Sequence, residues 1–231
     1  MTSMTSATAK ELPAQELRVL GCLVEKQLTT PQQYPLTLNA LTSACNQTSN
    51  RDPVVSYDER SVEAAVTSTK TRGLARFVHP SHGRSAIRYA HTLEEALGLD
   101  QRQLALMAVL MLRGPQTAGE LRTRTERMAD FDGLSDLERE LGRLAERDDP
   151  LVVCVGRRPG QKEDRFAHLI GDSEVAEAHA AQMSRLDTVV EAAGPTRADM
   201  RRDLASELEQ LREEVSELRR QLEELRESLG T

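Results

Sequence analysis

LTLNALTSACNQTSNRDPVVSYDERSVEAAVTSTKTR, residues 36–72, holds two apolar periodic stretches separated by a polar block. Leu36, Leu38, Leu41 and Ala44 or Cys45 recur at helical spacing and predict a short helix over 36–45. Asn46 to Arg51 is polar and turn-forming. Val62, Val66 and Thr69 stand at i, i+4 and i+7, so a second helix is predicted over 59–72, with Arg60, Ala64, Thr67, Ser68 and Thr71 on the opposite wall. The apolar alternation Leu74–Val78, a glycine-bearing turn over Ser81–Ser85 and a strand over Ala86–His91 then predict a β-hairpin. Helix, turn, helix and hairpin in that order predict a winged helix whose second helix is the reader.

Working outward, a helix is predicted from Ala14 to about Gln27 on Leu17, Leu20, Cys22 or Leu23, and Val24. Thr29–Pro35 holds two prolines and reads as an irregular connection. Residues 1–13 are rich in Ser, Thr and Ala, and read as a disordered lead.

The hairpin occurs twice. Arg88-Tyr89-Ala90-His91 returns as Arg165-Phe166-Ala167-His168, and Leu74–Val78 returns as Leu151–Val155, both at an offset of 77. Val62, Val66 and Thr69 match Leu137, Leu141 and Leu144 at an offset of 75, and Thr37–Leu41 matches Thr117–Leu121 at 80. Shifts that fall between elements mark a duplicated fold. The expected class is mainly α with small β-hairpins, an α+β winged helix in tandem: a first domain over 14–92 and a second over 101–170, joined near Thr92–Asp100. In the second reader helix the wall opposite Leu137 is Arg139, Gly142, Arg143 and Glu146, flanked by Glu138 and Glu140. That mixed charge favours packing or protein contact over DNA in the second domain.

The formal charge of -7 is uneven. Residues 1–100 carry 10 Lys plus Arg against 10 Asp plus Glu, residues 101–170 carry 12 against 12, and residues 171–231 carry 8 against 15. The acidic balance therefore says nothing against nucleic-acid binding by the first two-thirds. Cys22, Cys45 and Cys154 lack the spacing of a zinc site or a disulfide framework, which fits a reducing cytoplasm. The longest apolar run, Leu104–Leu112, is too short to span a membrane.

An amphipathic helix is expected over 172–193, closed by Gly194-Pro195. Over 199–230 the residues Leu204, Leu208, Leu211, Val215, Leu218, Leu222, Leu225 and Leu229 alternate steps of four and three, the pattern of a coiled coil. In a parallel pair Glu207 meets Arg212 of the other helix and Glu214 meets Arg219; an antiparallel pair sets like charge on like. The expected partner is a second copy of the chain in a parallel homodimer.

Leu20–Lys26, Thr29-Thr30-Pro31 with Tyr34-Pro35-Leu36, Asn39-Ala40-Leu41 and Cys45–Val54 together resemble the YceH-like family of bacterial proteins. Leu112–Thr117, Gly119–Arg122 and Phe166–Leu169 extend the resemblance over about residues 14–170. It implies two tandem winged helices and no established biochemical role. The chain departs from the family in Thr69, where a leucine is expected, and in its acidic coil.

Catalytic chemistry has no motif. His79 and His82 lack a cysteine or carboxylate to complete a metal site, His91 and His168 alternate with core strand residues, and no glycine-rich phosphate loop is present. No enzyme, no cofactor and no membrane partner are expected. One reading is a DNA-binding regulator: Thr67, Ser68 and Thr71 reach bases or phosphates, Arg60, Lys70 and Arg51 touch the backbone, and Arg84 at the wing tip enters the minor groove. The other is an interaction module in a chromosome or transcription assembly.

Overall fold

The structure, a computed structural model, describes residues 12–79, 86–156 and 163–171. The chain divides into two compact units, Met1–His179 and Ala180–Thr231, and every described residue belongs to the first. The expected turn over Ser81–Ser85 with Arg84, the expected helix over 172–193 and the expected coil over 199–230 lie outside the described residues.

Seven α-helices and two small antiparallel sheets are formed among the described residues. The first half runs α1 (Ala14–Thr29), a 3-10 turn (Pro31–Gln33), β1 (Leu36–Thr37), α2 (Leu38–Cys45), α3 (Glu59–Thr71), β2 (Ala75–Val78) and β3 (Arg88–His91). After α4 (Leu93–Leu97), the second half runs α5 (Gln101–Arg113), β4 (Gln116–Thr117), α6 (Ala118–Thr125), α7 (Leu134–Ala145), β5 (Val152–Gly156) and β6 (Arg165–His168). The sheet orders are β1-β3-β2 and β4-β6-β5, so the two halves have one topology. Ala75 pairs with His91 and Val152 with His168, and the offset of 77 holds through Phe77 and Cys154 before a register shift between Cys154 and Gly156 breaks it. Leu36 opposite Tyr89 matches Gln116 opposite Phe166 in the same way.

Two elements differ from the sequence expectation. Leu36 and Thr37 are a strand, because they pair with β3, and Thr37 then caps α2 by accepting a hydrogen bond from the Ala40 amide at 3.3 Å. Thr117 does the same for α6 in a full capping box with Glu120. The join over 92–100 contains α4, closed by Gly98 at φ 61, a left-handed position suited to glycine. Leu12, placed in the disordered lead, is fully buried in the core.

Helix α1 contributes to two packed clusters, one centred on each half. Every residue of α1 from Glu16 to Glu25 is buried, as is every residue of α5 from Leu104 to Leu112. Leu17, Leu20 and Val24 of α1 join the cluster built on α5, α6 and α7, whereas Val19, Cys22 and Leu23 join the one with Leu41, Val62, Val66 and Tyr89. Helix α1 can serve both because Gly21 lets α5 approach: a Cβ there would lie 2.9 Å from Cγ of Leu112 and 3.3 Å from Cβ of Met111. Gly21→Val is expected to lower the unfolding free energy by ~1–3 kcal/mol through overpacking. Adding Leu112→Ala should recover part of that loss in thermal melts; strictly additive losses would contradict the close crossing.

Candidate nucleic-acid interface

Helix α3 starts at Asp58, whose carboxylate accepts from the Ser61 amide at 2.8 Å, and buries Val62, Ala65, Val66 and Thr69. The Thr69 hydroxyl donates to the Val66 carbonyl at 2.8 Å, so a threonine sits fully buried where a leucine is expected without an unmet donor. The outer wall exposes Arg60, Ala64, Thr67, Lys70 and Thr71, with Ser68 half-buried. The Thr71 hydroxyl donates to the Thr67 carbonyl at 3.1 Å, leaving its lone pairs outward as acceptors. Lys70 lies over the Phe77 ring at 4.3 Å from its centroid, which carries the ammonium toward β2. Glu63 is also exposed on this wall. Its place three residues after Arg60 makes it readable from the helical wheel, and its charge offsets one of the two cations.

The polar block before α3 proves to be a locked loop. Asn46 donates to the Tyr57 carbonyl and accepts from the Tyr57 amide, both at 2.7 Å. Arg18 reaches the Pro53 carbonyl at 2.6 Å, and the Asp52 amide donates to the Leu112 carbonyl at 2.9 Å. Arg51 is not a phosphate contact, contrary to the sequence expectation. Its side chain is buried and bidentate on Glu25, at 3.0 and 2.6 Å, with further bonds to Gln47 and to the carbonyls of Ala44 and Asn50. A guanidinium so spent has no donor for solvent or ligand.

The corresponding wall of α7 is also altered by burial. Asp136 and Glu140 are buried at 7% and 1% exposure. Arg139 pairs with Asp136, Arg143 with Glu140 at 2.8 Å, and Arg102 of α5 reaches both acids. Glu140 therefore belongs to an ion-pair network against α5 and not to the mixed outer surface, while Arg139 and Arg143 are each held by a carboxylate. Among the described residues, no three or more His, Cys, Asp or Glu side chains gather as a metal site, and no helix is long and apolar enough to cross a membrane.

Comparison with known proteins gives a match of residues 12–161 to the family described as protein of unknown function, DUF480. A UPF0502 protein of Geobacter metallireducens is 52% identical over 162 residues, covering 70% of this chain and 73% of that protein. A UPF0502 protein of Koribacter versatilis is 52% identical over 159 residues, covering 69% and 73%. One of Geobacter sulfurreducens is 53% identical over 155 residues, covering 67% and 70%.

Proposed function

The chain belongs to the DUF480 family of bacterial proteins, and from that premise we propose that it is a non-enzymatic DNA-binding protein of two tandem winged helices, acting as a transcriptional regulator. The observation that carries this reading is the outer wall of α3: small side chains Ala64, Thr67 and Thr71 exposed between two cations, Arg60 and Lys70. Small residues admit a helix deep into a major groove, hydroxyls meet base edges or phosphates, and cations at the two ends suit the flanking backbones. The order β1-β3-β2 behind α3 supports the winged-helix reading. Glu63 keeps the affinity of one copy low, so the parallel coil over 199–230 is part of the proposal: two readers on one dimer engage a two-fold site.

Titration of duplex genomic fragments by fluorescence anisotropy tests it. Binding at low salt should weaken steeply as salt rises, and Arg60→Ala with Lys70→Ala should lower affinity about tenfold and flatten the log–log salt slope by about 2. Absence of binding at low salt overturns the reading. The wall of α7 favours a different role for the second half, contact with a protein in a chromosome or transcription assembly, because exposed Arg139 and Arg143 are paired with Asp136 and Glu140 and flanked by exposed Glu138 and Glu146, whose charge repels phosphate.

A further inference from the structure

The locked loop before α3 does more than position that helix. With the ends of α5 and α6 it lines an open polar cleft of two adjoining chambers of about 270 and 440 Å³, which share Asn50, Arg113 and Arg124. The smaller chamber is lined by Lys26, Arg113, Arg124 and Arg127 against a single carboxylate, Glu25, and that carboxylate is already held by Arg51 and Lys26. The larger chamber adds Arg51 and Arg165 against Asp52 and Glu120, and Glu120 is engaged by Arg165 at 3.0 Å and by the Thr117 amide at 3.0 Å, so six cations face three carboxylates around the two chambers. Cationic excess is thus concentrated in one concavity of a chain whose formal charge is -7.

Helix dipoles explain part of this, since Lys26, Arg113 and Arg124 each sit in the last turn of a helix. They do not explain the surplus of donors. Arg113 donates to the Asn50 side-chain carbonyl, Arg124 approaches Glu120 at 3.7 Å, and Arg127 makes no hydrogen bond or ion pair among the described residues. Three guanidinium groups offer fifteen N–H donors, and the cleft's own acceptors occupy few of them. Asn50 itself is held at φ 60, an uncommon backbone conformation for a residue with a side chain, with its amide on Arg113 at the point where the chambers meet. Burial, then the charges of Arg124 and Arg51, disfavour the charged form of Arg113, a cost that a bound anion would offset.

We propose that this cleft binds a small phosphate-bearing anion, between a diphosphate and a mononucleotide in size, with Arg113, Arg124 and Arg127 as its ligands and Lys26 at the rim. Planar guanidinium forks match phosphate oxygens two at a time, and a multi-oxygen dianion uses donors that a single carboxylate leaves idle. No aromatic side chain lines either chamber, so recognition rests on the phosphoryl groups and not on stacking of a base.

Inorganic pyrophosphate, titrated calorimetrically into the full chain at low ionic strength, is the probe. Expected is saturable one-site binding that Arg127→Gln and Arg124→Gln each weaken about tenfold or more. Arg122→Gln, an exposed position of α6 outside the cleft, should leave it unchanged. No heat at millimolar pyrophosphate, or equal loss with Arg122→Gln, overturns the site. A duplex fragment that displaces pyrophosphate and loses affinity in Arg127→Gln also overturns it, by making the phosphoryl source a nucleic-acid backbone. Arg60 and Lys70 lie on α3 and do not line the cleft, so failure of DNA binding there leaves this result intact.

Discussion

Arg51→Met should lower the unfolding free energy at neutral pH by ~3–5 kcal/mol, because it strands a buried carboxylate. Arg51 and Glu25 are 6% and 8% exposed, and the guanidinium satisfies both carboxylate oxygens, two backbone carbonyls and Gln47 at once. The loop that delivers α3 and the middle of α1 are tied through this one side chain. Glu25→Leu combined with Arg51→Met should restore much of the loss, since an apolar pair removes the stranded charge as well as the bond. Burial raises the Glu25 carboxyl, but the bond and charge of Arg51, with Lys26, outweigh it and hold the group below its ordinary value of 4.5. A depressed folded value means that the pair's stabilisation is present above the unfolded value and is lost as pH falls through the folded one. The gap between wild type and Arg51→Met in urea denaturation should therefore narrow below about pH 4. A loss under about 1 kcal/mol at pH 7 would place the pair among weak surface bridges instead.

The second large effect is acid sensitivity from two histidines in equivalent positions of the repeat. His91 and His168 are 5% and 9% exposed, and burial lowers each to about 4 from 6.5, with the charge of Arg76 adding at His91. Geometry agrees at His91, where Nδ1 accepts from the Leu93 amide at 3.2 Å and so must be unprotonated. The unfolded chain takes up a proton on each as pH falls from 6.5 to 4 while the folded chain does not. Stability present above the unfolded value is thus lost across that window, by up to ~3 kcal/mol for each histidine. Thermal melts at pH 7 and pH 5 should differ strongly for the wild type. His91→Gln with His168→Gln, which cannot titrate, should be less stable at pH 7 but should show a much flatter pH dependence. An unchanged dependence would assign the acid transition to carboxylates such as Glu25.

Much of this architecture was legible along the chain. The hairpin repeat at an offset of 77 is reproduced in strand register as far as Cys154, and the buried rows Val62, Val66, Thr69 and Leu137, Leu141, Leu144 lie where helical spacing puts them. Such patterns are local: a helix or strand exposes its own periodicity whatever it packs against. Strand β1 escaped because two residues carry no period, and only the facing Tyr89 and Arg88 make them a strand.

The candidate site was legible only in outline. The small hydroxyl-bearing wall of α3 follows from its sequence. The fate of the charges around it does not, because an arginine is spent or free according to what lies opposite it in space. Arg51 meets Glu25 from 26 residues away, and Arg113 meets Asn50 from 63 residues away. The sequence by itself determined the repeat, the helix phases and the family. Tertiary structure decided which cations face solvent, which are buried in pairs, and that arginines from α5 and α6 converge on one cleft, since electrostatic pairing depends on distance across the fold and not on spacing along the chain.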